Sequence, residues 1–268
     1  MSPAATLVDA LEPLRSDPDH AAILLDIDGT LAPIVRHAAD AQVPEATRTL
    51  LIEIAKRYRV VGCISGRRAA TARQIVAIGT IAYVGNHGGE LLRPGATRPE
   101  MDPDLTAWSE RVREFAERVY TPEHQRSRVR SEDKEAIAAF HWRGAPDEHA
   151  AAMLAHSIAE QAQAEGFAVH WGRKVLEVRP PIVLDKGLGV SALVSSAGSH
   201  IESAIYVGDD TTDLDAFHSL RALVDAGSLK RAVCVAVSSE ETPAELAEEA
   251  DLVIDGQSGV RGLLGALL

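Results

Sequence analysis

Several features that commonly assign a chain to a class of protein are scarce here. Only two cysteines occur in 268 residues, and Cys63 and Cys234 lie far apart, which argues against a disulfide framework and a cysteine metal site. Both are typical of small core residues within strands. No apolar run reaches the roughly 20 residues of a membrane span, and the N-terminus lacks a signal-peptide pattern. We therefore expect a soluble, cytoplasmic protein.

Positive charge is also in short supply. The chain has 27 lysines and arginines against 39 acidic residues, a formal charge of −12, and it has no long basic tract. This balance disfavours nucleic acid or an anionic membrane surface as the main partner, so an anionic substrate must be met by local groups. The hydrophobic fraction of 46% allows a sizeable core, which we expect to be divided between two domains.

Short apolar strands alternate with amphipathic helices towards both ends of the chain. Such alternation predicts an α/β fold built on a parallel sheet. We expect the segments from both ends to join one sheet. The predicted strands are residues 23–25, 60–64, 81–84, 204–207, 233–237 and 252–254, and the predicted helices include 44–58, 69–78 and 259–267.

The pattern between these two parts differs and predicts an inserted domain. Residues 1–95 and 182–268 are assigned to the core, and residues 96–181 to the insertion. The insertion is interpreted as an α-β-β-α-β-β unit with an antiparallel sheet. Its predicted strands are residues 126–130, 136–142, 167–171 and 174–178, and its helices carry Trp108 and Met153.

Two carboxylates follow the first predicted strand. Asp26 and Asp28 are two positions apart, so strand geometry directs both side chains to the same side, and Gly29 lets the backbone turn close to a ligand. Two like charges so close together favour a bound cation. An ordinary turn or a calcium loop is the alternative interpretation of this Asp-x-Asp-Gly segment.

Further polar segments follow other predicted core strands, at the edge where parallel sheets bind ligands. Ser65 precedes a helix and would bind phosphate oxygens with the neighbouring amides, while Lys186 offers a point charge for phosphate. Residues 208–213 supply carboxylates that suit Mg²⁺, and residues 85–89 would shape the mouth of the site. Taken singly, each has a plainer explanation, namely a helix cap or a solvated surface. Their order and shared edge carry the argument.

These residues resemble the motifs of the haloacid dehalogenase (HAD) superfamily of phosphatases, carried here by Asp26–Thr30, Ser65, Lys186 and Gly208–Asp210. More narrowly, the chain is similar to trehalose-6-phosphate phosphatases. The segments that follow this narrower pattern are residues 65–67, 86–88, 132–134, 141–143, 172–180 and 208–213. The resemblance implies a Rossmann-like HAD core with an inserted α+β cap domain of the C2 type. One departure is Leu214, where that family usually has Glu.

The resemblance also implies a Mg²⁺-dependent phosphatase that hydrolyses trehalose 6-phosphate through an aspartyl-phosphate intermediate. Asp26 would attack phosphorus, Asp28 would transfer protons, and Ser65 and Lys186 would hold the phosphoryl oxygens. A functional link to a trehalose-phosphate synthase is part of the same implication. The implied metal ligands are Asp26, Asp28 through its backbone carbonyl, Asp209, Asp210 and Asp213.

Sugar selection is expected in the insertion. Glu177 matters most, because a carboxylate accepts hydrogen bonds from vicinal hydroxyls. Arg126, Arg128 and Arg130 would share one strand face, where we favour a solvated edge over a sugar site. The substrate-binding residues implied by the resemblance are Ser65, Gly66, Arg67, Asn86, His87, Lys134, His141, Arg143, Lys174 and Glu177.

Two other functions stay open on the sequence. A related HAD phosphatase would accept another sugar phosphate, such as sucrose phosphate or mannosyl-phosphoglycerate. A catalytically weak sugar-phosphate sensor belongs to a different class, and the intact set of Asp26, Asp28, Ser65 and Lys186 argues against it. Release of phosphate from a panel of sugar phosphates distinguishes the three.

Overall fold

The structure is a computed structural model that describes residues 7–35, 40–196 and 201–268. The chain divides into two compact units. The first, called the core unit below, comprises Met1–Glu100 and Leu184–Leu268, and the second, called the inserted unit, comprises Met101–Val183. Both halves of the sequence therefore contribute to the core unit.

A mainly parallel sheet forms the centre of the core unit, which confirms the predicted α/β fold. Its strand order is β12-β11-β10-β1-β2-β3-β4-β5. The first six strands in this order pair in parallel, whereas β4 runs antiparallel to β3. The strands are β1 (Ala21–Leu25), β2 (Val60–Ile64), β3 (Ala82–Gly85), β4 (Glu90–Leu92), β5 (Glu100–Met101), β10 (Ser203–Gly208), β11 (Arg231–Ser238) and β12 (Leu252–Asp255).

Strand β1 shows why this sheet is buried on both faces. All five of its residues are buried. Ile23 and Leu25 belong to one hydrophobic cluster, and Ala22 and Leu24 belong to another, because successive side chains point to opposite faces. Helices cover both faces: α1 (Leu7–Ser16), α2 (Glu45–Arg57), α3 (Ala69–Val76) and α10 (Gly256–Leu267) contribute to the first cluster, and α7 (Lys186–Ser196), α8 (Asp213–Asp225) and α9 (Ala244–Glu249) to the second.

The inserted unit is an antiparallel sheet with its own hydrophobic core. The strand order is β6-β7-β9-β8, and Phe115, Phe140 and Leu176 are buried together. No helix within the described ranges is both long and apolar enough to cross a membrane. The elements are β6 (Arg130–Asp133), β7 (Ala138–His141), β8 (Ala168–Gly172), β9 (Val175–Arg179), α4 (Pro103–Val119), α5 (Pro122–Arg126) and α6 (Glu148–Ala164).

The predicted strand over residues 126–130 is wrong. Helix α5 ends at Arg126, Arg128 has a left-handed φ of +59°, and β6 begins only at Arg130, so the three arginines do not share a strand face. Helix α5 begins with proline at its first turn, and Thr121 and His124 form a reciprocal capping box. Thr121-Pro122 is a helix-start signal that outweighs the alternating arginines.

Candidate active site

The carboxyl ends of neighbouring parallel strands bring the predicted core motifs to one edge of the sheet. Asp26 follows β1, Ser65 follows β2 and Asp209 follows β10, and β1 lies between β10 and β2. The backbone amide of Asp26 donates to the carbonyl of Val207 at 2.9 Å, so the first and last of these motifs are held by the ladder itself. This edge is where open parallel sheets bind ligands.

Three buried carboxylates meet at this edge. Oxygen atoms of Asp26, Asp209 and Asp213 all lie within 4.8 Å of one another, and we call these three residues the carboxylate cluster. The Nζ atom of Lys186 donates to Oδ1 of Asp26 and to Oδ1 of Asp213, each at 2.6 Å. Lys186 is the first residue of α7, and its position at the start of this helix places its ammonium group in the cluster.

Asp213 organises the loop that carries the other carboxylates. Its Oδ1 also accepts from the hydroxyl of Tyr206 at 2.6 Å, and its Oδ2 accepts from the backbone amides of Asp209 and Asp210 at 2.9 and 2.8 Å. Burial and the Asp213 carboxylate raise the pKa of the Tyr206 phenol, which therefore stays a hydrogen-bond donor. Sequence reasoning missed Tyr206, because a tyrosine within an apolar strand is typical of a core residue.

The carboxylate cluster fits a divalent cation. Burial raises the pKa of Asp26 well above its usual range, and the Asp213 and Asp209 carboxylates add to this, while the Lys186 ammonium opposes it. Burial alone would lower the pKa of Lys186, but Asp213 and Asp26 raise it, so the lysine stays charged. Three acids therefore face one ammonium, and hard oxygen donors of this kind suit Mg²⁺. Asp210 lies beside this group, where its Oδ1 accepts from the amide of Thr211 at 2.6 Å.

Gly29 is required by both conformation and space. Its φ is +91°, and a Cβ atom built on it would lie 2.1 Å from Oδ2 of Asp209. The next residue, Thr30, is fully buried and its hydroxyl donates to Oδ1 of Asp209 at 3.3 Å. The turn after Asp28 is thus packed directly against the carboxylate cluster.

Asp28 lies outside the carboxylate cluster and pairs with Arg67. The Nε and Nη2 atoms of Arg67 donate to the two Asp28 carboxylate oxygens at 2.6 and 2.7 Å, which is a bidentate ion pair. The Asp28 side chain keeps 35% of its surface exposed, in contrast to the buried Asp26. The amide of Arg67 also donates to the hydroxyl of Ser65 at 3.1 Å. Sequence reasoning named all three residues but did not foresee this pairing.

The loop after β3 closes over the turn that contains Ser65 and Gly66. A Cβ atom at Gly66 would lie 2.5 Å from Nε2 of His87, so the imidazole covers this glycine. Asn86 and His87 are buried, with left-handed φ values of +48° and +53°. The structure thus brings together the five predicted substrate-binding residues of the core, Ser65, Gly66, Arg67, Asn86 and His87.

The inserted unit holds a separate buried group of charges, which we call the salt-bridge triad: Lys134, Glu177 and Arg179. Lys134 Nζ donates to Oε1 of Glu177 at 2.6 Å, and Arg179 Nε donates to Oε2 at 2.9 Å. Their side chains are between 6% and 9% exposed. Sequence reasoning named Lys134 and Glu177 but missed Arg179, although strand spacing puts it on the same face of β9 as Glu177.

The other predicted sugar contacts of the inserted unit lie in separate pairs. His141 Nε2 lies 2.8 Å from Oε2 of Glu132. Lys174, which has a left-handed φ of +61°, donates to Glu148 at 2.6 Å and is partly exposed. Arg143 donates to the carbonyl of Arg173 at 3.3 Å. Of the five predicted residues, Lys134 and Glu177 bond to each other, and Lys174 and Arg143 both act on the carboxylate of Glu148, where they lower its pKa together with the amide of Gly144.

Comparison with known proteins adds a family to this geometry. The family model described as Trehalose-phosphatase matches residues 24–251. The chain is 30% identical over 223 residues to a trehalose-phosphate phosphatase of Mycobacterium avium, covering 80% of this chain and 56% of that protein. It is 31% identical over 205 residues to an uncharacterized glycosyl hydrolase of Mycobacterium tuberculosis, covering 75% of this chain and 15% of that protein.

Solved structures share the fold. The C-terminal domain of the Candida albicans trehalose-6-phosphate phosphatase superposes with a TM-score of 0.76 at 22% identity, covering 100% of this chain and 98% of that one. A trehalose-6-phosphate phosphatase related protein gives a TM-score of 0.73 at 22% identity, covering 91% and 95%. A haloacid dehalogenase-like hydrolase from Bacteroides thetaiotaomicron gives 0.63 at 17%, covering 93% and 100%. Among curated relatives, the chain spans only 15% to about 56% of the length of those first matched.

Proposed function

Because this chain belongs to the trehalose-phosphatase family, we propose that it hydrolyses trehalose 6-phosphate to trehalose and inorganic phosphate in the presence of Mg²⁺. The observation that carries the proposal is the buried carboxylate cluster with Lys186 at the carboxyl ends of β1 and β10. A phosphate monoester needs a nucleophile, compensation of its negative charge and a proton for the leaving oxygen. Side chains suited to each of these tasks meet at this one edge.

In the proposed mechanism, a carboxylate oxygen of Asp26 attacks phosphorus, and the bond between phosphorus and the sugar oxygen breaks. Asp28, which must first be released from its ion pair with Arg67 and take up a proton, gives that proton to the departing sugar oxygen, which leaves as the hydroxyl of trehalose. Asp28 then takes a proton from a water molecule, whose oxygen attacks the aspartyl-phosphate and frees Asp26 and phosphate. The greater exposure of Asp28 supports its role as the residue that exchanges protons with sugar and water.

Charge on the transferred phosphoryl group would be met by Ser65 and Lys186. Ser65 is buried at the carboxyl end of β2 and Lys186 is buried between two carboxylates, so both are held in place before substrate arrives. The residues proposed to hold Mg²⁺ are Asp26, the backbone carbonyl of Asp28 and Asp209, with Asp210 and Asp213 as supporting groups. When bound, Mg²⁺ would reduce the repulsion between the nucleophile and the phosphate.

The sugar is proposed to be selected by the inserted unit, acting as a cap domain, while the core unit carries the chemistry. The inserted unit supports this division with side chains that can donate to or accept from sugar hydroxyls, namely the half-buried His141 and Arg143, the exposed Lys174, and Lys134 and Glu177 of the triad. Arg67, Asn86 and His87 would contact the substrate from the core unit. A functional link to an enzyme that makes trehalose 6-phosphate follows from the same proposal, and the cytoplasmic location stays a prediction.

The test is phosphate release from trehalose 6-phosphate, with and without Mg²⁺, for the wild type and for Asp26→Asn. We expect wild-type release only with Mg²⁺, and a loss of at least about 10³-fold in Asp26→Asn, because an amide cannot form the acyl phosphate. Asp225→Asn, an exposed aspartate at the end of α8, is the matched control and should keep full activity.

A substrate panel decides the remaining alternatives. Faster turnover of sucrose phosphate or mannosyl-phosphoglycerate than of trehalose 6-phosphate would move the proposal to another sugar. Binding of trehalose 6-phosphate without any release of phosphate would replace it with a sensor. Equal release from many small phosphate esters would contradict selection by the inserted unit.

A further inference from the structure

A buried carboxylate outside the carboxylate cluster joins the two loops beside Ser65. Glu90, the first residue of β4, is 1% exposed. Its Oε2 accepts from the backbone amide of Ala69 at 2.8 Å, and its Oε1 accepts from Nδ2 of Asn86 at 2.8 Å. The guanidinium of Arg68 lies 3.7 Å from Oε1. One side chain thereby holds the start of α3 and the loop after β3.

The same two loops are joined by backbone bonds at the residues proposed to contact substrate. The amide of Asn86 donates to the carbonyl of Arg67 at 2.8 Å, and the amide of His87 donates to the carbonyl of Ser65 at 3.2 Å. The approach is close, since a Cβ atom at Gly85 would lie 2.2 Å from the nitrogen of Ala69. A displacement of either loop would therefore reach Ser65 and Arg67.

The loop after β3 needs such support because it is strained. Asn86 and His87 are consecutive residues whose backbone lies in the left-handed region. Residues other than glycine adopt this conformation at an energetic cost. Strained backbone persists where the surrounding contacts over-determine it. The bond from the Asn86 side chain to Glu90 is one of those contacts, and it fixes the residue at which the strain begins.

We propose that Glu90 is a positioning residue for the phosphatase reaction. Through Ala69 and Asn86 it fixes the turn from Ser65 to Arg67, and Arg67 in turn fixes the carboxylate of Asp28. Its hydrogen bonds to Ala69 and Asn86 act on the two loops beside Ser65. The inference rests on the proposed function for its kinetic consequence, but its structural consequence is measurable without turnover.

The experiment compares Glu90→Met with the wild type. Methionine keeps much of the volume and removes both acceptors. We expect kcat for trehalose 6-phosphate to fall roughly 10- to 100-fold with a smaller change in KM, because small misplacements of reacting groups act on the chemical step. Amide hydrogen exchange should accelerate in residues 65–69 and 85–89 while β1 keeps its protection. Glu90→Gln, which restores an acceptor, should recover most of the lost kcat.

The matched control is Glu100→Met, the same substitution at an exposed glutamate of β5 that pairs with Arg93. It should leave kcat and exchange unchanged. A lowered melting temperature of Glu90→Met with wild-type kcat and wild-type exchange in both loops would overturn the proposal, leaving Glu90 a structural residue. If Glu90→Met does not fold, Glu90→Asp decides, because that carboxylate is too short to reach both Ala69 and Asn86, and unchanged kcat and unchanged loop exchange in that variant also overturn the proposal.

Failure of the proposed function gives a different result. In that case the wild type releases no phosphate from trehalose 6-phosphate, yet the exchange of residues 65–69 and 85–89 still responds to Glu90→Met. Loss of kcat without any change in loop exchange would also count against positioning, because the effect would then reach the reaction by another route.

Discussion

Each unit buries a group of charged side chains, and the two groups have opposite balances. The carboxylate cluster of the core unit sets three acids against the single ammonium of Lys186. The salt-bridge triad of the inserted unit sets two cations against the single carboxylate of Glu177. Buried like charges repel strongly, so the first group favours an added cation, whereas in the second group each cation donates to the carboxylate that the two share. The difference is consistent with the proposal that the core unit binds the metal and the phosphoryl group and that the inserted unit contacts the sugar.

The largest expected effect is on the stability of the inserted unit when the triad loses its carboxylate. Glu177→Gln leaves Lys134 and Arg179 as buried cations without their shared partner, and we expect the inserted unit to lose about 3–5 kcal/mol of stability. All three tryptophans, Trp108, Trp142 and Trp171, lie in this unit, so denaturant unfolding followed by tryptophan fluorescence reports on it directly.

The control is Glu114→Gln, an exposed glutamate on α4 of the same unit, which should shift the unfolding midpoint little. A loss below about 1 kcal/mol in Glu177→Gln, the range of exposed pairs, would show that the shared carboxylate does not stabilise the two buried cations.

Addition of Mg²⁺ tests the other unit of this comparison, because we expect the ion to stabilise the core unit alone. At a Mg²⁺ concentration of 100 times its dissociation constant, we expect about 2.7 kcal/mol of stabilisation in the core unit, because the ion binds the folded state alone. Hydrogen exchange should slow in residues 21–31 and 203–213, and residues 130–141 and 175–179 should keep their rates. Asp209→Asn should abolish the effect. Equal protection of both units would contradict the assignment of the ion to the carboxylate cluster.

The smallest effect concerns a titrating residue of the inserted unit outside the triad. Burial lowers the pKa of His124 below its ordinary value, and its Nε2 has no hydrogen-bond partner among the described residues. The unfolded chain therefore binds a proton near pH 6.5 that the folded unit resists. Stability should be intact above that pH and decline as the pH falls through about 6.5 towards the folded-state pKa.

Tryptophan-monitored unfolding at pH 7.5 and 5.5 checks this expectation. His124→Gln should lose less stability between the two values than the wild type does. His149→Gln, at an exposed position on α6, should behave like the wild type. If stability depends on pH identically in all three proteins, His124 does not cause the loss of stability at low pH.

The sequence pattern predicted much of the core unit because each of its parallel strands is marked by a short run of neighbouring apolar residues. Buried parallel strands are continuous apolar runs, and they end at a common edge, so Asp26, Ser65 and Asp209 are found without knowledge of the fold. The roles assigned to these residues stay predictions. The antiparallel strand β4 was missed, since three residues are too few to show a period, and with it the buried role of Glu90.

Partners distant in sequence could not be predicted in the same way. Arg67 and Asp28 lie 39 positions apart, and no spacing rule joins a residue after β2 to one after β1. Arg179 was overlooked because a charged residue at a strand end is usually exposed, whereas here the Glu177 carboxylate makes its burial possible. The mistaken strand at residues 126–130 has the opposite cause, since charge alternation was given more weight than the helix cap at Thr121.

The split of the core unit between two distant stretches of chain has a consequence during synthesis. The ribosome synthesises β1 before the inserted unit. Strand β10 pairs with β1, with Ala21 opposite Ser203 as the first pair, but it is made only after the whole inserted unit. Asp26 and Asp209 therefore remain apart until the inserted unit has been synthesised. Until then the growing chain does not hold the three acids close together, and the inserted unit has time to fold before this edge of the core sheet is assembled.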